Sequence, residues 1–355
     1  MVECQRTLSW AARAMNFRTA AYALMGEIAL AEKHLDLAIH YSTKALDFNR
    51  FNVLAHQVLI VAHRLKGENE TALDYTNQLL ALDPLCHFAR HELYLLKGID
   101  YQQYIQNELP YQTYLELAMD YFNKQQMETA IRILKTAPNH PLVQLWLAYL
   151  QQDRNLLKPI LEAPTDFVFP YRNETLQALE WANKVQNHWK LKYYLALNLW
   201  SKNQLTATAA LLNTIAQQAN EATFYLTRAT FNEDDATKAL PDLEKAQQLA
   251  PQQWRTHQAI IQHHQKQQQH QKALIYSAKA VQQFPDNYAL SMLHVKSLIH
   301  QTRYAEAIAQ LQKTQVLPFE GLTKVANFTN GRITATPYNL LNNSNIRRQL
   351  LFRTI

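Results

Sequence analysis

Apolar residues recur at three- and four-residue spacing in short blocks, and polar turns separate the blocks. That is the pattern of amphipathic helices, each with one face to bury. Small residues mark the phase of the blocks. Ala239, Ala273 and Ala307 stand 34 residues apart, and Pro251 and Pro285 repeat the 34-residue interval. Near the start, Tyr22, Met25, Gly26 and Ala29 fall on one predicted helix and Ala38 and Ala45 on the next. Ala72 lies 34 residues beyond Ala38, and Pro84 closes that unit. Alanine fits where two helices come closest, because the distance between axes depends on the side chains at the contact. Proline closes the second helices, since the residue before it is pushed out of the helical region.

A 34-residue period is the signature of the tetratricopeptide helix–turn–helix repeat. The predicted fold is therefore all-α, a right-handed superhelical solenoid in which each hairpin completes its neighbour's core. Residues 1–16 read as the second helix of a repeat whose first helix is missing. Residues 85–110 break the period: a helix from Leu85 to Leu96 stops at Gly98, and Pro110 opens the next unit. Pro159, Pro164 and Pro170 interrupt the body. The predicted organisation is an N-terminal sub-array (1–158), a proline-rich hinge (159–170), a C-terminal sub-array (171–320) and a basic Asn/Thr-rich tail (321–355).

The phrases between repeats are more specific than the repeats. They include Leu82-Asp83-Pro84-Leu85-Cys86-His87-Phe88-Ala89-Arg90, Asn107-Glu108-Leu109-Pro110 and Phe169-Pro170-Tyr171-Arg172. Trp189 with Lys192-Tyr193-Tyr194-Leu195, and Leu317-Pro318-Phe319-Glu320-Gly321, extend the set. In order, they resemble the helical C-terminal part of bacterial tetratricopeptide proteins that carry the domain of unknown function 5107. The resemblance implies an arm that follows β-rich, carbohydrate-handling domains. It also implies a fragment or reduced relative, because this chain contains no such domains. It brings no catalytic residues with it.

Composition narrows the function. Glycine is scarce, 5 of 355 residues, so phosphate-cradling glycine loops are absent. The net charge of +6 comes largely from Lys324, Arg332, Arg347, Arg348 and Arg353. Without these five, 30 of the 35 basic residues face all 29 acids. A near-neutral body lacks a nucleic-acid footprint. Cys4 and Cys86 are too few for a disulfide framework or a four-cysteine zinc site. No apolar run reaches membrane-spanning length, and charges within the first 30 residues argue against a signal peptide. The expectation is a soluble cytoplasmic chain, or an exported one if a leader precedes Met1.

First helices of successive units line the concave side of such arrays. On the phase set by Ala207, Ala239, Ala273 and Ala307, that side would present Trp189, Lys192, Tyr194, Arg228, Arg255, Gln258, Gln262, Lys266, Lys296 and His300. This polar, positively biased row suits a carboxylate or an acidic peptide. The bland alternative is a solvated face. Arg90, Arg172 and Glu174 are candidates for a pocket, or for ties between repeats. His87 and His91 have helical spacing, but Leu95 stands where a zinc-site histidine would follow. Cys86 reads as a buried thiol, and Asp83, Glu116 and Glu174 lack a paired carboxylate. No catalytic group, metal site or cofactor is expected. The reading is a non-catalytic scaffold for a protein or peptide partner, with no nucleic acid or membrane partner. The alternative is an accessory arm of a carbohydrate-active protein.

Overall fold

The computed structural model describes residues 2–314; the basic tail expected at 321–355 lies outside the described residues. The described residues form nineteen α-helices and two short 3₁₀ turns, with no strand among them. Helix α1 (Val2–Ala11) packs on α2 (Met15–Ala31), and α2 pairs with α3 (Leu35–Phe48). The hairpin of α4 (Val53–Leu65) and α5 (Asn69–Leu82) follows, then α6 (His87–Lys97). Next come α7 (Pro110–Asn123), α8 (Met127–Thr136), α9 (Pro141–Gln151), α10 (Lys158–Glu162) and α11 (Thr175–Val185). Four hairpins complete the series: α12 (Trp189–Ser201) with α13 (Leu205–Ile215), and α14 (Ala222–Phe231) with α15 (Ala236–Leu249). The others are α16 (Trp254–Lys266) with α17 (His270–Gln283), and α18 (Tyr288–His300) with α19 (Tyr304–Lys313).

The small residues that set the period are buried. Ala38, Ala72, Ala273 and Ala280 expose nothing, and Ala239 and Ala307 almost nothing. Gly26 shows why the phase tolerates no bulk. A Cβ there would sit 2.3 Å from Ser42 Oγ on the facing helix. One phase residue is misplaced by a single step: Ala207 is exposed, and Thr208 takes the buried position on α13.

The turns repeat as strictly as the helices. Lys33 and Gly67, 34 residues apart, both adopt positive φ, and so do Gln268 and Thr302 at the same interval. In each turn the following N–H reaches back to a carbonyl in the first helix's last turn, as His34 does to Ala29 (2.8 Å) and Arg303 to Leu298 (2.9 Å). This is the left-handed helix stop that glycine usually supplies. Most such positions here are not glycine, so a glycine search does not find them.

The chain divides into two compact units. The first holds residues 1–162 and 180–186; the second holds 163–179 and the chain from 187 onward. Helix α11 contributes to both. Pro159 to Glu162, expected in a hinge, lie in α10, and residues 163–174 are the non-helical stretch.

Candidate peptide-binding face

Within each unit, successive first helices approach one another: α2 meets α4, α14 meets α16, and α16 meets α18. Successive second helices do not meet to that extent. The first helices of each unit therefore lie side by side along one side of it. Polar ties hold that side together. Tyr193 Oη meets Thr227 Oγ1 at 2.7 Å, from α12 to α14. Gln265 donates to Leu293 O at 3.0 Å and Ser297 Oγ at 2.9 Å, from α16 to α18. In the first unit, Arg64 holds the fully buried Glu92 through both oxygens, at 2.7 and 3.2 Å. Tyr121 Oη donates to Glu92 at 2.7 Å, and His91 Nδ1 lies 2.8 Å from that hydroxyl. The buried Lys124 ammonium donates to Gln57 at 3.0 Å and lies 3.5 Å from Glu27.

Several expected surface residues are committed elsewhere. Trp189 is buried, with Phe224 edge-on at 6.1 Å, so it is core and not an anchor. Arg228 points at its own hairpin's second helix, where its guanidinium grips the buried Asp242 through two hydrogen bonds. Those bonds raise its pKa further. Lys266 reaches back to the preceding hairpin's turn, pairing with Asp234 at 2.9 Å and Glu233 at 3.6 Å. Lys66 makes a comparable reach in the first unit, pairing with Asp36 in the first turn of α3 at 3.0 Å. Lys192 lies two residues from Lys190, roughly 200° around α12 at 3.6 residues per turn. It is therefore not on the face that carries Lys190.

Arg90 and the Arg172–Glu174 pair belong to different units. Arg90 lies over the Tyr104 ring at 3.5 Å and donates to Pro84 O. It is a structural tie. Arg172 Nε is 3.8 Å from Glu174 Oε2, both half-buried. Two row residues remain as cations with no acid paired to them among the described residues. Arg255 sits over Trp254 at 4.6 Å, and Lys296 is exposed on α18. Partial burial still holds the Lys296 pKa below the usual lysine value. Gln262, one turn before Lys266 on α16, is exposed beside this row.

Sequence reasoning missed what covers α12. Lys190, Tyr194 and Asn198 stand four apart on one face, and all three are buried. Lys190 donates to Ala163 O and pairs with Glu221 at 2.6 Å. Asn198 donates to Pro170 O and, at 2.9 Å, to Arg172 O. Thr165 donates to Glu221 through its amide (2.8 Å) and its hydroxyl (2.7 Å), and Thr223 bonds Asp166. Burial alone would raise the Glu221 pKa; the bonds from Lys190 and Thr165 outweigh it and bring the value below the ordinary one. Tyr194, an expected anchor, is 1% exposed, and its hydroxyl has no partner.

The reactive side chains are spoken for by packing. Burial, with Arg64 and Arg132 nearby, pushes His91 down to about 3. Burial pushes the Cys86 thiol up, which keeps it protonated. Among the described residues, no three His, Cys, Asp or Glu side chains are placed to share a metal ion. No helix among them is long and apolar enough to cross a membrane.

No protein-family model and no curated protein matches the chain. Among solved structures it is similar to yeast Tom70, at 13% identity over 87% of this chain and 71% of that one (TM-score 0.36). It is similar to a human IFIT1 dimer with m7Gppp-AAAA at 17% identity, over 74% of this chain and 68% of that one (TM-score 0.35). A tetratricopeptide repeat protein from Parabacteroides merdae is similar at 18% identity, over 69% of this chain and 85% of that one (TM-score 0.25).

Proposed function

We propose that the chain is a non-catalytic interaction scaffold that takes an acidic, extended peptide along the first-helix side of its second unit. The observation that carries this reading is the pair Arg255 and Lys296. They are cations on first helices, with no acid paired to them among the described residues and glutamine between. A guanidinium and an ammonium on a polar, pre-built surface suit carboxylates, and a rigid array orders little on binding. The raised Cys86 pKa and the low His91 pKa count against nucleophilic and acid–base chemistry at those residues.

The test is a titration of a fluorescent oligoglutamate peptide against the chain and its Arg255→Glu/Lys296→Glu variant. Binding that weakens at least tenfold in the variant, and falls with salt, supports the reading. Equal binding by both proteins, or preference for a single-stranded RNA of the same length, overturns it.

A further inference from the structure

We infer that the α12–α14 side of the second unit is a binding site for an extended peptide backbone, and that residues 163–172 of the same chain occupy it. This deepens the proposed peptide-binding role and rests on it. The segment contains no helix. It follows α12 in the same direction: Ala163 meets Lys190 near the helix start, and Pro170 and Arg172 meet Asn198 and Lys202 near its end. The same stretch touches α14 and its entry, through Thr165 with Glu221 and Asp166 with Thr223. Both partners are first helices of their hairpins, so the segment runs along the first-helix side of the unit.

The chemistry of the contacts is that of peptide recognition. Lys190, Asn198 and Lys202 donate to main-chain carbonyls, which any extended peptide carries. Glu221 accepts from a main-chain N–H and a hydroxyl at one residue, and Thr223 meets the next residue's carboxylate. Side-chain specificity is thus for a hydroxyl–acid pair, and the contacts at residues 170 and 172 read main chain alone. Thr165, Val168 and Pro170 are buried, whereas Phe167 and Tyr171 are exposed. Phe167 is held at φ +58°, a conformation that aromatic residues rarely adopt.

Two features mark the site as made for an exchangeable occupant. The Tyr194 hydroxyl is buried on the face that bears Lys190 and Asn198, and it has no partner. The segment satisfies the lysine, the asparagine and the glutamate but leaves this donor unused. Most of the contacts are also side chain to main chain, and none follows the 34-residue period, so the segment is not another repeat. A partner segment with the same hydroxyl–acid pair would make these bonds and reach the Tyr194 hydroxyl. It must first displace the strap, whose effective concentration is high because it is tethered.

The experiment uses the full chain and a fluorescent peptide with the sequence of residues 163–172. The Thr165→Ala/Asp166→Ala variant, its helicity checked by circular dichroism, should bind this peptide at least tenfold tighter than the parent chain. Glu221→Gln added to that variant should remove the gain. A folded loosened variant that binds no tighter overturns the inference. If the variant does not fold, the parent chain decides. Excess isotope-distinguishable peptide should speed amide exchange at 163–172 without changing α16 and α18. Unchanged exchange in the strap overturns the inference. If the strap peptide fails while oligoglutamate still binds through Arg255 and Lys296, this inference falls and the wider reading stands; failure of both overturns both.

Discussion

Tyr193 and Thr227 stand one 34-residue repeat apart, and their hydroxyls meet at 2.7 Å. The Thr227 hydroxyl also donates to Thr223 O at 2.8 Å, so the tyrosine is the donor of the pair. One repeat's first helix is thereby pinned to the next by a bond between equivalent positions of the two helices. Thr227→Val leaves a fully buried phenol unpaired, at a cost of about 1–3 kcal/mol. Tyr193→Phe added to it should recover part of the loss. Urea denaturation of both variants measures this.

Glu92 is fully buried and depends on Arg64 for its charge balance. Arg64→Met should cost about 3–5 kcal/mol, because it strands a buried carboxylate. The double variant Arg64→Met/Glu92→Leu should be closer to the parent than the single one. Tyr121 would keep His91 as a partner, since the two lie 2.8 Å apart. Thermal unfolding of the single and double variants distinguishes an ion pair that balances itself from one that drives folding.

His91 makes stability fall in acid. Its folded-state pKa of about 3 lies below the unfolded value near 6.5. Between those limits the unfolded chain binds a proton that the folded chain refuses. The contribution is full above pH 6.5 and is lost as pH falls toward 3. At pH 5.5 the loss is about 1.4 kcal/mol for this one residue. Burial lowers the pKa of His264 and His294 as well, which adds loss of the same sign. The stability gap between the parent and His91→Gln should narrow by about 1.2 kcal/mol between pH 7 and 5.5, as read from denaturant midpoints.

Thr302 holds φ at +55°, in the turn between α18 and α19. A β-branched residue is a poor occupant of that region, whereas glycine adopts it freely, as Gly67 does at φ +79° in an earlier turn. Thr302→Gly should therefore stabilise the chain by about 1 kcal/mol, despite glycine's greater freedom when unfolded. A lower melting temperature would show that the threonine makes a compensating contact.

The architecture was readable because it repeats. Ala239, Ala273 and Ala307 announce the period, and Gly26 announces the close approach of α2 to α3. The site was less readable, for three physical reasons. A helix face is set to within about 100° per residue, so one step separates Ala207 from Thr208, and two place Lys192 away from the face carrying Lys190. A cation's availability depends on acids far off in sequence. Arg228 is taken by Asp242, and Lys266 by Asp234. Finally, the strap is held in large part by its own carbonyls, which every residue has. Nothing in the side chains of Ala163 or Pro170 marks them as bound to Lys190 and Asn198. The resemblance that suggested a carbohydrate-linked arm rests on sequence phrases alone.

The central claim is that partners meet the first helices of the second unit. Hydrogen–deuterium exchange of the full chain, with and without saturating oligoglutamate, tests it most directly. The account predicts added protection in α16 and α18 around Arg255 and Lys296, with α15 and α17 unchanged. Protection confined to α15 and α17, or spread equally over first and second helices, would contradict it.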